Sequence, residues 1–366
     1  MTNRSLKQED SLWPADPRLQ IVSGVNLLDS QDTIEAKLKD NVQHVGDITH
    51  VFYLAYKANA DLQQEYEDAV SMFKRAIIAM DHLSPALEFC VLQTGAKMYG
   101  CHLLENHPTD YIHVPLREDM PRLKAPYGDM LFYHPQLDWI AEYSQGRKWS
   151  WIDTRPDIII GFVPNQNAYS LAQSLGIFLS LYAHVEGRGA QVSFPGTTKS
   201  WNAKSIDSSS DMIARQTLHL SLTLPSSAKG EGFNVGDSKD YSTWSVKWPR
   251  LCAYFGLEGT APPADTSSQL EVRQYIIDHL DEWKVLEQRY SLKSGVADSD
   301  LTFKGFEYFL LTQFDFDRQY NMSKIQQSQG KSVHRAERHE EAWYGVFDRM
   351  RAGHLIPKDA RKDSKA

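Results

Sequence analysis

A chain of 366 residues, 42% hydrophobic, 11% aromatic and 23% charged, is long enough for one large or two modest packed domains and too apolar to be disordered. A formal net charge of -8 argues against nucleic acid or an anionic membrane as the main partner. Three cysteines, Cys90, Cys101 and Cys252, form no metal spacing and leave one over in any disulfide scheme, which points to a reducing, cytoplasmic setting. No apolar leader follows Met1, and nowhere do eighteen apolar residues run together to span a membrane.

The first apolar run, residues 19–25, reads as a strand. Residues 29–38 read as a helix capped by Ser30 or Asp32. A buried strand is expected over 49–55, then an amphipathic helix over 61–80 carrying Val70, Met72, Phe73, Ile77 and Ile78, then a strand over 88–92. Residues 100–128 hold prolines 108, 115, 121 and 126 and read as a long irregular loop, a kind usually kept for function. A helix is expected over 137–143, apolar strands on either side of Arg155-Pro156, a helix over 170–185 and a last sheet strand over 232–237. This alternation implies an α/β fold with a parallel sheet and crossover helices. From residue 242 the pattern is helical, clearest at 275–290, 301–314 and 341–350, and the charged end, 358–366, reads as disordered.

Two segments carry chemistry. Gln93-Thr94-Gly95-Ala96-Lys97-Met98-Tyr99 follows the strand at 88–92, and Phe132-Tyr133-His134 precedes Asp138 at a helix start. A Lys just past the C-terminal end of a parallel strand lies where α/β proteins bind ligands. A Tyr meeting it there can donate a hydrogen bond to a carbonyl, and a nearby ammonium favours its anionic form, so the two can stabilise a developing enolate. Spacing alone also allows a surface Lys and a core aromatic.

Together the motifs resemble the Q-T-G-x-K-x-Y and F-Y-Y-x-x-x-D signatures of the progesterone 5β-reductase/iridoid synthase (PRISE-like) family, an offshoot of the short-chain dehydrogenases that reduces conjugated enones and enals with NADPH. Further matches are Trp149-Ser150 with Arg155-Pro156, one residue longer than usual between them, and Phe194-Pro195-Gly196 with Trp201. The resemblance runs from about residue 19 to 357. It implies a Rossmann-like sheet, incomplete at its start, over 1–240, a mainly helical substrate cap over 241–357, and the catalytic roles on Lys97 and Tyr133. His134 stands where the family has a second Tyr and is an auxiliary candidate for proton transfer. Tyr56 falls where the family has a Trp near the substrate and Leu103 near a Phe, and Tyr99, Met130 and Phe132 could extend a greasy wall. That suits a hydrophobic small molecule such as a terpenoid or polyketide.

The cofactor half departs from the pattern. A Rossmann unit opens with a strand, a glycine-rich turn and a helix, whereas residues 1–18 contain no glycine. Lined up on the family, residues 2–6 fall near the end of the second strand and 19–25 on the third. Asn26 replaces the Asp that approaches the adenine, and only Arg4 remains near the expected 2′-phosphate site. Gly187-x-Gly189 and Gly230-x-Gly232-x-x-x-Gly236 read as turns, and His334, His339, Glu340 and Glu341 as a solvated helical face rather than a metal site.

The expected function is therefore a specialised-metabolite enzyme that activates an enone or enal carbonyl for cofactor-independent cyclisation, Diels-Alder-type cycloaddition or isomerisation. The alternatives are an NADPH-dependent enone reductase whose N-terminus is incomplete, and a non-catalytic ligand-binding protein. Without the two missing strands, 49–55 would become an apolar sheet edge. Residues 19–25 are then expected to pair with it directly, or a second copy of the chain to cover it.

Overall fold

The computed structural model describes residues 1–358, apart from 4, 5, 7, 8, 10, 107–112, 165, 166, 224–228, 239, 266–268, 303, 304 and 330–338. Arg4, His334 and the charged end beyond 358 lie outside the described residues. The chain divides into two compact units, each assembled from separate stretches. One comprises Met1–Pro156, Ala214–Val235 and Asn321–His334, and the other Asp157–Ile213, Gly236–Tyr320 and Arg335–Ala366.

The first unit is built on a four-stranded parallel sheet. Its strands β1 (His50–Tyr53), β2 (Phe89–Gln93) and β3 (Ser150–Pro156) are followed by Glu231–Val235, and they lie side by side in that order. Cys90 pairs with Val51 on one side and Trp151 on the other, so β2 is buried on both edges and both faces. That is why its sequence, FCVLQ, is apolar without alternation.

Helix α1 (Gln31–Asn41) starts where Ser30 accepts a hydrogen bond from the Thr33 amide, and α2 (Leu62–Leu83) where the Asp61 carboxylate accepts from the amides of Gln63 and Gln64. Along α2 the residues Ala69, Met72, Phe73, Ala76, Ile77 and Met80 recur every three or four positions and are buried. Met72, Phe73, Ala76 and Ile77 pack with Leu137 and Ile140 of α3 (Tyr133–Tyr143), and with Cys90, Leu92 and Trp151 of the sheet, into one core, while Met80 joins a second cluster with Ile34 and Leu38 of α1.

Residues 19–25 differ from expectation. They form no strand and do not pair with β1, which ends the sheet on that side among the described residues. Ser23 instead makes a single parallel bridge with Thr2, in keeping with the alignment of residues 2–6 beside the third strand. Side chains hold the segment. Val22 and Val25 sink into a cluster with Ile34, Leu38, Ala79 and Met80, and the Gln20 amide bonds the Asn41 carbonyl at 2.7 Å. Apolar burial under α1 thus outweighs ladder formation.

In the second unit the helix Leu171–Val185, capped by Ser170, lies among the helices Trp244–Tyr254, Val272–Asp278, Leu280–Tyr290 and His339–Ala352. The expected helix over 275–290 breaks at His279. That over 301–314 shrinks to Phe306–Tyr308 followed by a π-type turn, Phe309–Gln313. Glu258–Thr260, inside the stretch read as helical, pairs in parallel with Gln191–Ser193. Two ion pairs are sealed into this unit, Lys247 with Asp207 at 2.8 Å and Arg318 with Asp157 at 3.2 Å. The Trp343 indole N–H also donates to Asp207. No helix of the described residues is long and apolar enough to cross a membrane.

Candidate active site

Past the end of β2 the chain turns through Ala96–Tyr99 and Cys101–Asn106, two short 3-10 segments. This turn carries Lys97. The start of α3 brings Tyr133 to the same end of the sheet, and Gly95 permits the approach: a Cβ there would stand 3.3 Å from the Pro156 carbonyl oxygen and 3.8 Å from the Tyr133 hydroxyl.

Two aromatic rings flank the lysine. Its Nζ lies 5.5 Å from the Tyr56 ring centroid and 5.6 Å from that of Phe132, and the Phe132 ring meets Tyr133 edge-on at 4.8 Å. Tyr56 and Phe132 stack at 5.8 Å, and the Tyr56 hydroxyl donates to Glu65. Four of the expected residues, Tyr56, Lys97, Phe132 and Tyr133, therefore stand together. Met130 is exposed, and Leu103 is half-buried beside Gly100. Tyr99 is buried elsewhere, its hydroxyl donating to Asn234 Oδ1 and accepting from Arg155 Nη1 at 3.4 Å.

Glu65 escapes a reading of the sequence. It occupies the first turn of α2, buried on the helix face that also carries Ala69 and Met72. A carboxylate on an apolar stripe was the available signal. Burial lowers the Lys97 pKa from the ordinary lysine value, and the Glu65 carboxylate works against that shift. Burial pushes the Tyr133 phenol up, and the Glu65 and Asp153 carboxylates push it further. The direction is opposite to that expected from a neighbouring ammonium. At neutral pH Tyr133 is an intact hydroxyl, a donor rather than a phenolate.

His134 and His102 are the other titratable groups here, and the second was not anticipated. Burial, with the charges of Lys97 and His134, pushes the His102 imidazole down to about 4. Burial and Arg122 also lower His134. Both rings are neutral at pH 7.

The dinucleotide side is different. Asn26, where the resemblance implies an adenine-facing Asp, is tied into its own turn. Its amide donates to Asp29 at 2.9 Å and its carbonyl accepts from the Leu28 amide at 3.2 Å. Asp29 is itself bonded to Lys37 at 2.8 Å. Gly187, Gly189 and Gly230 take positive φ in turns that lead into strands, not helices. Among the described residues no glycine-rich turn leads from a sheet strand directly into an α-helix, the arrangement that cradles a pyrophosphate; Gly95 after β2 opens only the 3-10 turn Ala96–Tyr99. No three residues among those described are grouped as a metal would require, and Glu340 pairs with Arg250 at 2.5 Å.

A family model for the PRISE-like Rossmann-fold domain matches residues 1–357. The short chain dehydrogenase sirQ of Leptosphaeria maculans is 34% identical over 98% of this chain and 89% of its own length. The (S)-8-oxocitronellyl enol synthase ISY1 of Nepeta racemosa is 32% identical over 67% of this chain and 59% of its own. Among solved structures, RMD from Pseudomonas aeruginosa, complexed with NADPH, superposes with a TM-score of 0.53 at 10% identity over 90% of this chain and 89% of that one, a likeness of fold alone. With both motifs in place on a parallel Rossmann-like sheet and the family model matching 357 residues, the chain belongs to the PRISE-like family of short-chain-dehydrogenase relatives.

Proposed function

We propose that this chain is a biosynthetic enzyme that activates the carbonyl of a conjugated enone or enal for cyclisation, cycloaddition or isomerisation without a hydride carrier. The observation that supports it is that Phe132 is flanked by both groups, with the Lys97 Nζ 5.6 Å and the Tyr133 ring 4.8 Å from its ring centroid, and that burial keeps Tyr133 a neutral hydroxyl. Tyr133 donates its proton in a hydrogen bond to the substrate carbonyl oxygen. Lys97 adds positive charge nearby, where its own burial beside Tyr56 and Phe132 reduces screening. Both withdraw electrons from the conjugated alkene and stabilise the negative charge that gathers on oxygen as the new bond forms.

Phe132 and Tyr56, with Leu103 and Met130 towards the loop, hold the hydrocarbon part in a folded shape. Such preorganisation supplies much of the barrier lowering that an intramolecular ring closure needs. The product keeps the substrate's atoms and oxidation level.

Support for the cofactor-free form comes from Asn26, whose amide is spent on its own turn. A second reading, an NADPH-dependent enone or enal reductase, is favoured by the name short chain dehydrogenase borne by sirQ. A fluorescence titration of the purified chain with NADPH separates the two. The first reading expects no saturable change at micromolar cofactor, and clear saturation overturns it in favour of the reductase.

A further inference from the structure

The second unit holds a cavity of about 400 Å³ whose walls include Arg188, Tyr254, Gly256, Tyr344, Asp348 and Arg351. Tyr344, Asp348 and Arg351 are four and then three positions apart on the helix His339–Ala352, so they share one face of it. Tyr254 and Gly256 belong to the end of the helix Trp244–Tyr254 and the turn after it. Gly256 takes φ +78°, and a Cβ there would stand 3.1 Å from Arg188 Nε and 3.3 Å from its Nη2. The Arg188 guanidinium therefore rests against bare glycine backbone. Two residues earlier, Arg351 Cζ lies 4.2 Å from the Tyr254 ring centroid. Two cations from separate elements thus flank the turn at 254–256 and line one cavity.

Arg351 is a largely buried cation without a bonded counter-charge among the described residues. Its side chain is 14% exposed, and Asp348 Oδ1 stands 3.9 Å from its Nη1, too far for a hydrogen bond. That oxygen accepts instead from the Tyr254 hydroxyl at 2.5 Å. Arg351 Nε and Nη2 have no hydrogen-bond partner among the described residues. The nearby backbone acceptors are engaged: the Cys252 carbonyl accepts from the amides of Phe255 and Leu257, the Ala253 carbonyl from that of Gly256, and the Arg250 carbonyl from the Tyr344 hydroxyl. A ring face compensates a buried guanidinium less well than a hydrogen-bonded anion does.

We propose that this cavity binds a small organic oxyanion, a phosphate ester or a carboxylate, whose charged group completes the hydrogen bonding of Arg351 and is shared with Arg188. Both kinds of group present paired oxygens to the planar fork of a guanidinium. Two arginines against the one carboxylate of Asp348 leave the lining with an excess of positive charge, which selects an anion over a neutral or cationic ligand. The charged group fills only part of the volume, and the remainder leaves room for an organic part beside Ala253 and the Tyr344 ring. The assignment does not depend on the carbonyl-activating reading of Lys97 and Tyr133.

The test is isothermal titration calorimetry of the full chain with phenyl phosphate, benzoate and inorganic phosphate, at an ionic strength held constant with sodium chloride. At least one of the three is expected to saturate one site per chain with a Kd below about 1 mM. Tighter binding of phenyl phosphate than of benzoate identifies the phosphate ester as the ligand class, and the reverse order the carboxylate. Arg351→Met and Arg188→Ala should each weaken that binding by about tenfold or more, as for loss of a charge-assisted hydrogen bond. Asp348→Asn should tighten it several-fold, because the amide still accepts from Tyr254 while the competing negative charge is gone. Absence of saturable binding of all three probes would overturn the inference, as would binding that keeps its strength in both arginine variants. Should Arg351→Met not fold, the exposed positions decide: an affinity unchanged in both Arg188→Ala and Asp348→Asn also overturns it.

Discussion

Two buried polar clusters of the first unit invite comparison. Around Asp153 almost every valence is closed. Its carboxylate accepts from Thr94 at 2.9 Å and from Arg155 Nε at 2.8 Å, and Arg155 reaches on to the Glu118 carbonyl and the Tyr99 hydroxyl. Tyr99 donates to Asn234, whose amide bonds the carbonyls of Leu116 and Asn321, while Glu118 accepts from the Asn234 N–H. Around Lys97 the valences stay open among the described residues: an ammonium beside two rings, and two imidazoles each with an unpaired nitrogen. The first arrangement rigidifies β2, β3 and the loop at 116–118. The second leaves hydrogen-bonding capacity for something that is not protein. Closed networks specify structure, and open ones are where a ligand can be recognised.

The sharpest way to break this contrast is to damage the closed network. Asp153→Ala leaves the Arg155 guanidinium buried without its counter-charge, for which a loss of about 3–5 kcal/mol is typical. Chemical denaturation should show a much lower midpoint for this variant. A midpoint close to that of the unaltered chain would mean that the network is not scaffold.

Next in size are Tyr133→Phe and Lys97→Met. Each should slow turnover, Tyr133→Phe by about 10²–10³ as for loss of one oxyanion donor, with little change in the denaturation midpoint. Stability and rate should thus part company between the two clusters. Unchanged turnover in both variants would place the chemistry elsewhere in the pocket.

The same contrast explains how much of the molecule was legible in its sequence. Periodicity locates α1 and α2, and unbroken apolarity locates β2, because each of those signals reports burial on one face or on all sides. Lys97 and Tyr133 become visible only as members of two motifs read together, since neither residue alone differs from a surface lysine or a core aromatic. Glu65 and His102 stay hidden because the groups that act with them come from other segments: Glu65 of α2 accepts from Tyr56, whose ring flanks Lys97, and the His102 imidazole is pushed down by burial and by the charges of Lys97 and His134. The three-residue strand Glu258–Thr260 is too short to show alternation, and its partner lies about 65 residues earlier, at Gln191–Ser193. Residues 19–25 have a strand's composition, yet they are held by side-chain burial and by one bridge to Thr2.

A pH titration of stability sharpens the comparison at His102. Its imidazole takes up a proton at about 6.5 in the unfolded chain, whereas burial beside Lys97 and His134 holds it to about 4 in the folded one. The folded pKa is depressed, so between these values the unfolded state binds more protons. Stability from this group is present above pH 6.5 and is lost as pH falls towards 4. The loss amounts to about 3 kcal/mol at most by proton linkage. Urea midpoints measured between pH 7 and pH 4 should fall more steeply for the unaltered chain than for His102→Asn. Parallel curves would mean that His102 is not buried as described.

The smallest effect is expected at Glu65, the carboxylate that connects the open cluster to α2. Glu65→Gln keeps the shape and still accepts from the Tyr56 hydroxyl, but it removes the negative charge that opposes the lowering of the Lys97 pKa by burial. Lys97 then loses its proton at a lower pH than before. The basic limb of the rate profile should therefore move towards neutrality, while turnover at the optimum changes less than it does on loss of the ammonium in Lys97→Met. Tyr133 responds in the same direction, because the Glu65 charge is one of the causes that raise its phenol. A basic limb that stays in place in Glu65→Gln but vanishes in Lys97→Met would leave Glu65 a packing residue of α2. A limb that moves makes it the residue that keeps Lys97 charged, and so ties the rate at the open cluster to one buried carboxylate in the first turn of α2.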